Sequence, residues 1–197
     1  MSKNSLIVLA GIMLACVCAF ALHKQRSASL KAFTVVSVHT FTPNDRTKPV
    51  EFLGVNIESY KEDGSFVHRQ VSAKGKSSYF YSDTDGVYRA NSGATEAIKL
   101  GADWKPNTNA ELEAMSAGFE KADGFKRTES IHGLPLSVIE TFPQGKRYTK
   151  WMTARSGPIQ WEREINEGIE QTKIVSVQDG YNTDEFARIP KLAKVGN

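Results

Sequence analysis

The side chains that this sequence offers to chemistry are three histidines, two closely spaced glutamates and two tryptophans. His39, His68 and His132 would suit zinc if a curved sheet brought three neutral imidazoles together. They are widely separated along the chain and fall on expected strands or turns, so separate surface or edge positions are the expectation, with no metal or other cofactor. Glu162 and Glu164 stand two apart on one strand. An acid–base pair needs one carboxyl desolvated enough to raise its pKa. These two alternate with apolar residues on what reads as a wet face, so they are expected to be solvated charges. GxSxG, HExxH and phosphate-loop signatures are all absent, and the glycine pairs fall in hairpins instead of between a strand and a helix start. The expectation is a protein without a catalytic site.

Trp151 and Trp161 are read as facing one interior together with Met115 and Phe119 of a nearby helix. Two outcomes are open at this point, a packed core or a greasy cavity of the kind that binds hydrophobic ligands. Leu112, Met115, Phe119, Trp151 and Trp161 are the candidate lining of such a cavity.

The elements that must position these residues are mostly strands. Alternating apolar and polar stretches of about eight residues recur between turn signals, as an antiparallel sheet with one wet face requires. Residues 33–42 (FTVVSVHTFT) read as the first strand. Strands 52–60 and 66–73 flank Asp63-Gly64, strands 77–82 and 87–90 flank Asp85-Gly86, and a short strand is expected at 96–100. An Asp-Gly pair supplies the positive φ of a tight hairpin. One helix follows, over about 108–122, with Thr108 and Glu111 spaced as a capping box and Leu112, Met115, Phe119 and Ala122 on one face. Gly124 is its natural stop. Strands resume at 126–131, 134–142, 146–153, 159–166 and 169–177. About ten strands would not stay flat, so the fold class is mainly β (α+β), a curled antiparallel meander or incomplete barrel wrapped on one amphipathic helix.

Composition narrows the class. The chain has 197 residues, 40% hydrophobic and 24% charged, with a formal charge of +3, which suits a single globular domain at about 33–191, with 23–32 a basic linker and 192–197 a tail. Bases and acids are interleaved, and the largest basic group, Lys146, Arg147 and Lys150, sits beside a hairpin; a nucleic-acid partner, which would call for clustered cations, is not expected. Both cysteines, Cys16 and Cys18, lie in the leader, so the domain has neither a disulfide nor a thiolate site. Nothing in the pattern specifies an oligomeric state.

That leader, residues 6–22 (LIVLAGIMLACVCAFAL), is uncharged and flanked by Lys3 and by Lys24 and Arg26. Ala19-Phe20-Ala21 has the small-x-small form of a signal-peptidase site. Cleavage after Ala21 and retention as a single membrane anchor, short of the usual 20 or so residues, are the two leading outcomes. Lipidation at Cys16 is the third, disfavoured by the apolar residues that follow it. Either leading outcome places the domain outside the cytoplasm, in the periplasm or on the outer face of the membrane.

The leader, the Asp-Gly hairpins, the helix between meanders, the strand with Trp151 running on into residues 158–164, and the closing Asp184-Glu185-Phe186-Ala187-Arg188-Ile189-Pro190 together resemble the bacterial envelope proteins typified by the lipoprotein carrier LolA, with RseB-type sensors as cousins. The resemblance implies an unclosed barrel with a concave apolar face, able to hold a lipid, an acyl chain or a lipoprotein's hydrophobic segment. The alternative is an anchored structural or sensor domain that meets other envelope proteins through its sheet edges, with no cavity.

Overall fold

The computed structural model describes residues 31–100 and 105–195. The apolar segment 6–22 lies outside the described residues, among which no helix is long and apolar enough to cross a membrane.

The described residues form one 12-stranded open sheet. Its strands are β1 (Phe33–Pro43), β2 (Glu51–Tyr60), β3 (Phe66–Ser72), β4 (Ser77–Asp83), β5 (Gly86–Asn91), β6 (Glu96–Lys99), β7 (Phe125–Ile131), β8 (Leu134–Thr141), β9 (Tyr148–Thr153), β10 (Gly157–Glu164), β11 (Gly168–Asp179) and β12 (Ala193–Val195). In space the order is β12-β6-β5-β4-β3-β2-β1-β11-β10-β9-β8-β7. β12 runs parallel to β6, and the other pairings are antiparallel, all between consecutive strands except β1 with β11. β1 and β11 close the middle of the sheet, with Val35 opposite Val177 and His39 opposite Thr172.

The sheet is curled. Arg155, in the β9–β10 turn, donates from Nη1 to the Lys61 carbonyl in the β2–β3 turn at 3.0 Å. β10 and β2 stand three positions apart, about 14 Å on a flat sheet, so the contact needs the two halves to bend toward each other. In the bend lies the first core cluster, Phe33, Val35, Tyr60, Leu134, Leu136, Ile159 and Ile174.

Helix α1 (Asn109–Glu120) begins where the sequence expects it. Glu111 N donates to Thr108 Oγ1 and Thr108 N to Glu111 Oε2, a complete capping box. Its stop is steric as well as conformational: Gly124 has φ +82, and a Cβ there would sit 2.1 Å from the Glu140 carbonyl. The chain must pass that close because Glu140 N donates to the Gly124 carbonyl at 2.9 Å, which starts the β7–β8 pairing. The helix lies against β7 and β8.

A second helix, α2 (Thr183–Ala187), was not expected from the sequence. It packs on the opposite face of β2–β6 and leads into β12, within the stretch read as a tail. Phe186, Ile189 and Leu192 cover the second core cluster, Val67, Tyr81, Tyr88, Ala90 and Ala97. Arg69 fastens it with two 2.7 Å bonds to Glu185, and Lys194 adds a 3.1 Å contact to Asp85.

Candidate functional site

The five residues put forward as a cavity lining do not come together. Leu112 is the buried residue of α1. Met115 is 39% exposed, its sulfur 3.6 Å from Asn107 Nδ2. Phe119 is half-buried against Pro135, Leu136 and Met152 in a crevice of about 40 Å³. Trp151 stands opposite Gln160, and Trp161 opposite Lys150, in one unbroken stretch of ladder. Successive strand residues point to opposite faces, so the two rings leave the sheet on opposite sides. That corrects the expectation of a shared interior. Trp151 donates its indole N–H to Glu129 and packs on the first core cluster. Trp161 meets His39 edge-on at 5.3 Å and Tyr148 at 6.3 Å.

The other candidates resolve into separate polar contacts. His39 Nε2 is 2.9 Å from Glu170 Oε1, His68 faces Glu58 at 4.0 Å, and His132 occupies the exposed β7–β8 turn at φ 49. Among the described residues no group of three His, Cys, Asp or Glu is placed to hold a metal. Arg147 lies between Glu162, at 2.9 Å, and Glu164, at 3.4 Å.

A cavity does open between the sheet and the start of α1; of the five candidate residues Leu112 borders it, and the rest of its lining was not singled out in the sequence. It measures about 310 Å³, and Tyr60, Gly64, Phe66, Pro106, Leu112 and Arg155 border it. The strands supply an aromatic floor. Phe33 and Tyr60 pack at 4.9 Å, Tyr60 and Phe66 at 5.9 Å, and Phe66 and Phe80 at 5.2 Å. Along that line exposure rises from 3% at Phe33 to 39% at Phe80, so the line runs from core to surface. Leu112 forms the far wall, brought there by the capped first turn of α1. The 61–65 turn presses against the segment before the helix: Gly64 has φ +86, and a Cβ there would lie 2.4 Å from Pro106 Cβ.

Beneath this floor is a buried carboxyl. Glu58 is 6% exposed and accepts from the Tyr60 hydroxyl at 2.8 Å. Burial pushes its pKa above the ordinary range, against the opposing pull of His68 and the Tyr60 bond. The Tyr60 hydroxyl is pushed well up, first by burial and then by Glu58. Both shifts favour the neutral forms. The signal that could have found this site is the run Tyr60, Phe66, Phe80: each borders an Asp-Gly turn or faces a strand that does, and the meander register puts them side by side.

No protein-family model matches the chain, and no curated protein does. Solved structures are similar at low identity. A LolA superfamily protein from Nitrosomonas europaea is 10% identical with a TM-score of 0.38, over 80% of this chain and 90% of that one. The Mycobacterium tuberculosis lipoprotein LppX is 16% identical with a TM-score of 0.32, over 83% and 97%. A putative outer membrane lipoprotein-sorting protein domain from Vibrio parahaemolyticus is 9% identical with a TM-score of 0.34, over 84% and 94%.

Proposed function

We propose that this is a non-enzymatic binding protein of the cell envelope that holds an acyl chain or similar hydrophobic segment between the curled sheet and α1. The observation that carries the reading is the aromatic line that leaves the core at Phe33 and continues to Tyr60 and Phe66, which floor a cavity of about 310 Å³ walled by Leu112. That size is within the range of small-molecule sites, and Lys105, Asn107 and Arg155 add polar groups to the apolar floor and wall. The envelope location is supported by the uncharged leader, residues 6–22.

Native mass spectrometry of the full chain extracted from membranes tests this. The expected result is a co-purifying lipid that is lost in Leu112→Glu; wild-type protein free of any ligand contradicts it. Docking through sheet edges has less support. Edge strand β7 carries Lys126, Arg127 and Glu129, and edge strand β12 is three residues long, features that blunt strand addition.

A further inference from the structure

A second cavity, of about 280 Å³, lies over β3–β6, bordered by His68, Gln70, Ser78, Phe80, Arg89 and Leu100. The ladder sets these side by side: His68 is opposite Phe80, Gln70 opposite Ser78, and Phe80 opposite Arg89. Its polar members can all donate hydrogen bonds, and no carboxylate borders it. His68 Nε2 is buried without a hydrogen-bond partner. Arg89 is exposed. The nearest acid in the row is Glu58, opposite His68, so the imidazole stands between it and the cavity. This cavity adjoins the first across an aromatic contact, since Phe80 packs on Phe66 at 5.2 Å and Phe66 lines the other. From Tyr60 on β2 to Arg89 on β5 is three strand spacings, about 14 Å, paved by Tyr60, Phe66 and Phe80.

We propose that Arg89, with His68, Gln70 and Ser78 beside it, holds the carboxylate of a single-chain fatty acid whose alkyl chain runs over Phe80 and Phe66 and ends against Leu112. A guanidinium presents paired N–H groups that match a carboxylate, and an apolar track leading away from it suits one alkyl chain. The inference rests on the binding reading above and adds to it the headgroup and the ligand's direction.

Titration of the full chain with dodecanoate, dodecanol and dodecylamine separates the two. Dodecanoate should bind about tenfold or more tighter than dodecanol, as a hydrogen bond to a charged group implies, and dodecylamine should bind no better than dodecanol. Arg89→Gln, on an exposed side chain, should keep the fold and dodecanol binding but erase the preference for the acid, whereas Leu112→Glu should weaken both. Equal binding of acid and alcohol, tight binding of the amine, or an acid preference that survives Arg89→Gln would overturn the headgroup assignment and leave the cavity reading standing. Wild-type protein that binds none of the three would remove both.

Discussion

The two faces of β2–β6 are made by the same strands and have opposite fates. On the α2 face, Val67, Tyr81 and Tyr88 are at most 3% exposed; Phe186, Ile189 and Leu192 pack on them and, with Tyr81, also border an open cleft of about 860 Å³. On the α1 face, Phe80 is 39%, Ile98 50% and Leu100 48% exposed, because α1 packs chiefly on β7 and β8. Tyr79, Phe80 and Tyr81 are successive residues of one strand, yet Tyr79 and Tyr81 pack into the second cluster whereas Phe80 is 39% exposed and packs on Phe66. An aromatic residue on a strand is therefore core or binding surface according to what covers it, and the cover comes from elsewhere in the chain.

Breaking the cover should cost most. Arg69→Ala would leave Glu185, 4% exposed, with Arg188 at 3.9 Å as its remaining cation, and an unfolding titration should show a loss of about 3 kcal/mol. Phe186→Ala removes the ring that plugs the second cluster and that Lys61 approaches at 4.3 Å; about 2 kcal/mol of stability should go, with the α1-face cavity unaffected in ligand titrations.

Glu58 sharpens the contrast from the other side. Its folded-state pKa is raised above the ordinary 4.5, so the folded protein holds that proton more tightly than the unfolded chain does. The associated stabilisation is complete below about pH 4.5 and is lost as pH rises through the raised folded value. Thermal unfolding of Glu58→Gln, neutral throughout, should therefore be less sensitive to pH than the wild type above about pH 4.5; an unchanged pH profile would contradict the burial argument. Thr108→Ala should cost about 1 kcal/mol through the lost helix cap. Phe80→Ser should change stability by only about 0.5 kcal/mol or less, as exposed positions do, while weakening binding of dodecanoate.

Much of the fold was legible because strand alternation and Asp-Gly turns are local signals. Strands 52–60, 66–73, 77–82 and 87–90 match β2 to β5 within a residue or two, and the Thr108–Glu111 box places α1. The second helix was missed although Asn182 and Glu185 have N-cap spacing, with Asn182 Oδ1 accepting from Asp184 N and Glu185 N. At five residues it has too short a period to read, and what holds it is Arg69, 116 residues away. The site was harder still. Apolar helix residues and tryptophans look like a pocket lining in any one-dimensional reading, but the register of β9 and β10 sends Trp151 and Trp161 to opposite faces. Tyr60, Phe66 and Phe80 become a line only after three strands are paired.

The central claim is that hydrophobic ligands use the α1 face and not the α2 face. The most direct measurement is photo-crosslinking of the full chain with an alkyl diazirine fatty acid, followed by residue-level mapping of the adducts. Labels should fall on Phe66, Phe80 and Leu112 and spare Tyr81 and Tyr88. Labelling centred on Tyr81, Tyr88 and Phe186, or spread evenly over both faces, would contradict it.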